Sequence, residues 1–381
     1  MEAVVALKDN LLAFANERLP PVDPVVVLST VLIVMGVYLV MFVAAAGSPL
    51  ARAVLFKTNL FARSLAHMLL SREKSGWPKN RPDPAIIAGL PAYASVKRVI
   101  FVRHGESTWN EIFNRGFNFR FPLRLFEGLM SELLLLFTKN SYFVDSPLSD
   151  LGYDQAKELR RFLRDDVPDR RVVSDRHLAD VAALDGRGDA TSLIVASNLR
   201  RAVATTALAF WDRLARTGEK IYIHSALQEM ARNVDTFALA GAGESVPLHG
   251  LESHVDDVAE TPMGRMVVGE SGSVVGLNAH FNRGNKAIAR SGWNGLRGFA
   301  SWAAAQDAEV IIVGGHSLWF KEFFKAFLDD EAAKTATAAR RKIVNCGVVG
   351  FTLQHTKHPT HGEMFRIEPD SIESIYGGFA R

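Results

Sequence analysis

The sequence predicts an α/β fold, a mostly parallel sheet flanked by helices on both faces, preceded by a single transmembrane helix. Three observations carry this expectation. Short apolar runs rich in β-branched residues alternate with helical stretches. Three of those runs end directly in polar residues suited to chemistry. Val25 to Ala46 is a 22-residue run without a charge. The chain has 381 residues, room for two or three units at about 150 residues each. Hydrophobic residues make up 48% and charged residues 22%, which excludes a fully disordered chain. The net charge is +3, from 44 Lys and Arg against 41 Asp and Glu. With no long basic run, that balance excludes a nucleic-acid partner. The single cysteine, Cys346, excludes an internal disulfide framework and any multi-cysteine zinc site, and fits a reduced compartment.

Residues 1–23 read as an N-terminal tail and 24–47 as the transmembrane helix. At 1.5 Å per residue the uncharged run spans about 33 Å, enough for a hydrocarbon core of roughly 30 Å. A helix is the only single segment that satisfies its own backbone in lipid. Two other readings stay open. A buried core helix seldom lacks charge for so long. A cleaved signal peptide has a shorter apolar region and a basic start, whereas Glu2, Asp9, Glu17 and Asp23 here face only Lys8 and Arg18.

Residues 48–96 form a basic juxtamembrane segment and linker. From Gly47 to Pro82, Arg52, Lys57, Arg63, Arg72, Lys74, Lys79 and Arg81 stand against Glu73. The positive-inside rule places this side, and the domain beyond it, in the cytosol; the organelle is not read. Leu50 to Ser71 has apolar residues at helical spacing, either an interfacial helix on an anionic membrane or a linker helix packed on the domain. The prolines after Trp77 predict an extended linker.

Residues 97–381 form the remaining domain. Arg98 to Val102, Leu193 to Ala196, Ile221 to Ile223 and Val310 to Val313 are buried-strand signals. Asp150 to Arg164, Leu199 to Arg216 and Asn285 to Ala305 are helical. Val344 to Leu353 and Met364 to Ile367 read as closing strands. Ligands in such sheets sit outside the carboxyl ends of the strands. There the sequence places Arg103 to Glu106, Ser197 to Arg201, and Gly314 to Ser317.

His104 ends a buried strand and precedes Gly105, which permits a close approach. Arg103 offers a planar fork for phosphate oxygens. A neutral imidazole is a competent nucleophile toward phosphorus. Cys346 has no activating neighbour, and no histidine–carboxylate group has metal spacing. His355, His358 and His361 read as a solvated tail.

Residues 102–110 (VRHGESTWN) resemble the signature of the histidine phosphatase superfamily, the phosphoglycerate-mutase-like proteins. Further landmarks follow in order: 145–152 (DSPLSDLG), 197–202 (SNLRRA), 227–229 (LQE), 315–316 (GH) and 344–346 (VNC). The resemblance covers about residues 97–355. It implies that His104 becomes phosphohistidine, with Arg103, Arg201 and His316 as a cationic pocket around the phosphoryl group and no metal or cofactor. It implies Glu229 as the proton donor to the leaving oxygen, with Glu106 as the competing acid. Asn110 would add a neutral donor. Ser317 is a substrate-binding candidate, with a helix N-cap role as its alternative. Arg200 would then be a surface residue of the helix. His280, Arg283 and Lys286, in the glycine-rich stretch from Ala240 to Asn285, read as solvated residues of a loop over the site.

Residues 111–144 exceed the family pattern and form an apolar insertion with seven phenylalanines. Phe126, Leu129, Met130, Leu133, Leu134 and Phe137 share one helical face. The insertion is either a helix packing that face on the domain or a lid or membrane-touching element. The expected function is a membrane-anchored phosphomonoester phosphatase. Its substrate would be a small ester, a lipid phosphate or a phosphoprotein, and its membrane contact residues 24–47. A phosphoglycerate-mutase-type phosphotransferase and a non-catalytic scaffold with a vestigial phosphatase domain are the alternatives. The oligomeric state is not legible.

Overall fold

The computed structural model describes residues 24–77, 94–165, 173–248, 251–254 and 276–380. The expected linker beyond Trp77 and much of the glycine-rich stretch before Asn285 lie outside them. The chain divides into two compact units between Thr58 and Asn59.

The first unit holds helix α1 (Pro24–Gly47) and the start of α2 (Pro49–Leu70). Among the described residues, α1 is the one helix long and apolar enough to cross a membrane. Its few hydroxyls are satisfied internally, as when Thr30 Oγ1 donates to the Val26 carbonyl at 2.7 Å. Ser48 separates the two helices, accepting at Oγ from the Ala51 amide at 3.3 Å, with Pro49 first in α2.

The second unit is built on a sheet of seven described strands in the order β4-β3-β2-β5-β1-β6-β7. These are β1 (Ser95–Arg103), β2 (Ser192–Ala196), β3 (Ile221–Ile223), β4 (Leu277–Asn278), β5 (Val310–Gly315), β6 (Val348–His358) and β7 (Gly362–Tyr376). β4, β3, β2, β5 and β1 pair in parallel, while β6 and β7 add antiparallel at one edge. The first closing strand starts at Val348, not at the expected Val344, and both closing strands run further than expected. His355 and His358 belong to this β6–β7 hairpin and not to a solvated tail; His355 is buried, its ring 5.0 Å from Phe365.

The predicted α/β architecture with helices on both faces is the one observed. Alternate side chains of each central strand feed two cores. Ile100, Val102, Ile194 and Ile312 pack with α5 (Asp150–Asp165), α6 (Asp175–Asp185), α7 (Arg200–Ala209) and α8 (Trp211–Thr217). Val99, Phe101, Val195 and Ile311 pack with α9 (Gly292–Ala304) and α10 (Ser317–Phe327). The helix expected over Leu199 to Arg216 breaks at Phe210, and the one expected from Asn285 starts at Gly292.

The insertion forms α4 (Phe121–Leu134), which follows the short α3 (Thr108–Phe113). α4 packs on α3 and on the end of the insertion, but not by the apolar face the spacing defines. Gly128 on its other side is the contact, where an added Cβ would lie 2.7 Å from Ile112 Cδ1. The face with Phe126, Leu129, Met130, Leu133 and Leu134 is exposed, and so is Phe137 beyond the helix end.

Gly105 and Gly152 bring the loop after β1 and the start of α5 into backbone contact. A Cβ on Gly152 would meet the Glu106 carbonyl oxygen at 2.0 Å, and one on Gly105 the Gly152 oxygen at 2.5 Å. Gly152→Ala therefore lowers stability by about 1–3 kcal/mol, the usual cost of overpacking. The thermal midpoint of the detergent-solubilised chain checks this; an unchanged midpoint contradicts it.

Candidate active site

The register of the parallel strands assembles the site. Arg103 pairs with Gly315 across β1 and β5, and Ala196 pairs with Gly314 across β2 and β5. The carboxyl ends of all three strands therefore coincide, and His104, Ser197 and His316 emerge side by side. The His104 amide donates to the Gly315 carbonyl at 3.0 Å. The two imidazoles lie 5.0 Å apart, centroid to centroid.

His104 Nδ1 lies 2.5 Å from the Gly105 carbonyl oxygen. A carbonyl only accepts, so Nδ1 carries the proton and Nε2 keeps its lone pair. The loop around it is pinned. Gly105 N donates to Thr205 Oγ1 at 3.0 Å, and Asn345 Nδ2 donates to the His104 carbonyl at 3.1 Å. Burial, then the guanidiniums of Arg201 and Arg103, hold the imidazole well below its ordinary pKa and hence neutral.

Arg103 Nη1 donates to the Ile343 carbonyl at 2.6 Å, and its buried Nε has no partner among the described residues. Arg201 begins in the first turn of α7, fully buried. Its Nη1 donates to the Asp235 carbonyl at 2.8 Å and its Nη2 lies 3.3 Å from Asp235 Oδ2, while Nε has no partner among the described residues. His316 Nε2 lies 2.9 Å from Ser197 Oγ, and the buried Nδ1 has no partner among the described residues. Burial, and then Arg201 and His104, push its pKa well below the ordinary value. Among the described residues, three polar groups around His104 thus have buried atoms without a partner. Unpaired buried groups are costly, so such a cluster fits a ligand that supplies acceptor oxygens.

Glu229 sits beside this cluster. Its Oε1 accepts from Met230 N at 2.9 Å and from Trp319 N at 3.0 Å, in the first turn of the helix that follows His316. The competing acid, Glu106, is engaged elsewhere. Arg115 Nε donates to its Oε1 at 3.0 Å, and Ser149 Oγ donates to its Oε2 at 2.8 Å. That is a structural role behind the histidine loop.

Ser317 is the first residue of α10, not its N-cap. His316 holds that position and makes no side-chain cap bond. Asn110 lies in α3, where its Oδ1 accepts from Asn114 Nδ2 at 2.8 Å; among the described residues it makes no bond to either histidine. Arg200 is buried, not on the surface. It donates to Asn140 Oδ1 at 2.5 Å and to the carbonyls of Ser141 and Asp145, clamping the segment before α5. Asp145, at φ 51°, returns both carboxylate oxygens to the amides of Arg200 and Leu239, each at 2.9 Å.

Lys286 is half-buried and bonded, its side chain 12% exposed, contrary to its reading as a solvated loop residue. Its Nζ donates to Glu73 Oε1 at 2.9 Å, to the Glu229 carbonyl at 2.5 Å and to the Ala231 carbonyl at 3.0 Å. The chain just after α2 thus braces the Glu229 loop through one ammonium. Burial raises the Glu73 pKa and lowers that of Lys286, and their mutual attraction opposes both shifts. The same end of α2 packs on the domain, where buried His67 lies 5.1 Å from the Phe237 ring. Asp235, the partner of Arg201, was not anticipated either. Burial pushes its carboxyl up to about 6, against the pull of Arg201. The buried Cys346 thiol is pushed up to about 12 by burial, which keeps it protonated.

No protein-family model and no curated protein matches the chain. Among solved structures, a mycobacterial glucosyl-3-phosphoglycerate phosphatase is 16% identical, with 71% of this chain and 97% of that chain covered at a TM-score of 0.29. A phosphoglycerate mutase from Bacillus anthracis is 12% identical over 72% and 92%, at 0.32. A phosphoserine phosphatase from Entamoeba histolytica, solved with 3-phosphoglyceric acid, is 13% identical over 67% and 90%, at 0.28. Likeness at this level decides nothing about the chemistry, which rests on the chain's own residues.

Two outcomes follow from this geometry. Lys286→Met strands the buried Glu73 carboxylate and destabilises by about 3–5 kcal/mol, and the Glu73→Leu/Lys286→Met double variant recovers part of that loss. Thermal midpoints check this; a double variant no more stable than the single one contradicts it. Because His104 is held neutral, a process that needs its lone pair persists below pH 6.5. The acid limb of kcat/KM, corrected for the substrate's own ionisation, lies below that value; a limb at or above it contradicts the assignment.

Proposed function

We propose that the chain is a membrane-anchored phosphomonoester phosphatase of the histidine phosphatase type. One observation carries the reading: a buried, neutral imidazole with its Nδ1 proton committed to the Gly105 carbonyl, ringed by Arg103, Arg201 and His316 with spare polar atoms. In the first step His104 Nε2 attacks phosphorus. The N–P bond forms, the P–O ester bond breaks, and the leaving alkoxide takes a proton from Glu229. In the second step water attacks the phosphohistidine and gives its proton to Glu229, and the N–P bond breaks. Alcohol and inorganic phosphate leave, and the enzyme returns to its starting state.

Phosphoryl transfer asks for positioning and for stabilisation of charge on the equatorial oxygens. Both arginines are fixed by backbone carbonyls, so they need little reorganisation as charge moves. Asp235 orients Arg201 without neutralising the whole pocket. α1 is the proposed anchor, and the basic residues after it favour a cytosolic active site.

Phosphate release by the full chain in detergent, over a broad phosphomonoester panel, tests the reading. His104→Ala removes the nucleophile and lowers kcat by at least about 10³-fold on every ester cleaved. Activity retained in that variant contradicts the mechanism. Stoichiometric transfer to a second substrate hydroxyl, without phosphate release, points to a mutase instead. A folded wild-type chain inactive on every ester points to the scaffold alternative.

A further inference from the structure

The insertion helix α4 is built inside out. Arg124 and Glu132 turn inward, while Glu127 stays exposed at the edge of the apolar face. Arg124 Nη2 donates to the Gly116 carbonyl at 2.8 Å. The Glu132 carboxylate accepts from Ser141 Oγ at 2.8 Å and from the amides of Tyr142 and Phe143 at 2.6 and 3.1 Å. Together with the Gly128 contact, these bonds fix the helix from behind. The apolar side chains point away. Phe126 is 59% exposed and Leu134 79%, and Phe119 before the helix is 86% exposed. Folded soluble chains do not ordinarily leave so many large apolar side chains together in water.

We propose that this face docks into the interfacial region of a lipid bilayer. The patch offers Phe, Leu and Met with almost no hydrogen-bonding groups, which suits acyl chains that have none to offer. Arg120, whose guanidinium lies 5.5 Å from the Phe119 ring, and Lys139 are exposed at its two ends. Cations flanking an inserted apolar face meet anionic headgroups. The chain also carries its own apolar helix, α1, of membrane-spanning length.

The surface adjoins the candidate site through α3. That helix starts four residues after His104, capped by Ser107, and carries Ile112 against Gly128 of α4. A bilayer held there lies next to the loop of the nucleophile. The substrate class that follows is a phosphomonoester presented at the membrane surface, a lipid phosphate. This second step rests on the phosphatase reading, whereas the docking itself does not.

The test uses the full chain in vesicles of phosphatidylcholine and phosphatidylglycerol. A spin label is attached at Leu129→Cys, and for reference at Lys334→Cys on an exposed helix of the domain. The buried native Cys346, with its raised pKa, stays unlabelled. Docking predicts that the label at 129 collides with dissolved oxygen and is shielded from a water-soluble nickel chelate, while the label at 334 meets the chelate. Equal chelate access at both sites overturns the proposal. So does exclusion of both reagents at 129 with spin–spin broadening, which means a second copy covers the face. The Phe126→Glu/Leu133→Glu variant separates the substrate step. It loses at least about tenfold in hydrolysis of phosphatidic acid in vesicles, because α1 still holds the chain to the membrane but the site is no longer seated against the bilayer, with a soluble aryl phosphate cleaved as before. Equal loss on both overturns the lipid assignment. If the wild type hydrolyses neither ester, the phosphatase reading fails and the spin-label result still decides the docking.

Discussion

The hydrogen bond from the His104 amide to the Gly315 carbonyl sets where every reactive group stands. It extends the β1–β5 ladder one residue past the strand, so the register that pairs Arg103 with Gly315 also fixes the two histidines beside each other. The strands are buried on both faces, and a slip of one residue would turn each apolar side chain into the wrong core. The precision of the site is thus inherited from the hydrophobic cores, Ile100 and Val102 on one side, Val99 and Phe101 on the other. Glycines at 105 and 152 let two backbones touch, and glycines at 314 and 315 make room for the Thr206 and Phe101 side chains.

The chemistry depends on what is left unpaired. Arg200 and Arg201 are adjacent and both buried, yet they are used in opposite ways. Arg200 has its guanidinium bonded to Asn140, Ser141 and Asp145 and is structural. Arg201 leans on one residue, Asp235, and keeps Nε free, as Arg103 does. Burial of cations beside a neutral imidazole is unfavourable until an anion arrives, so the folded state holds an electrostatic preference for an anion. The Lys286 brace adds a mechanical link. The chain segment that follows α2 touches, through Glu73, the loop that carries Glu229.

The sheet was legible because double-sided burial writes nearly continuous apolar runs, and the motifs were legible because each lies within a few consecutive residues. What the sequence concealed is long-range or directional. Glu73 and Lys286 are 213 residues apart, and nothing local marks either as a partner. The two arginines of the SNLRRA block look alike until helix α7 assigns one to each side. Helical spacing told which residues of the insertion share a face, but not that this face turns outward. That depends on Gly128, Arg124 and Glu132 meeting α3 and the flanking segments of the insertion behind it. Ser317 resembled a cap because hydroxyls favour that position, but the register of β5 places His316 there instead.

The most direct test of the account is the chemical position of the trapped phosphoryl group. Rapid quench of the full chain with a labelled phosphomonoester, followed by alkaline digestion, separates the two phosphohistidine isomers and maps the residue. Because Nδ1 is committed to the Gly105 carbonyl, the account predicts phosphate on Nε2 of His104. Phosphate on Nδ1, on another residue, or on none during turnover would contradict it.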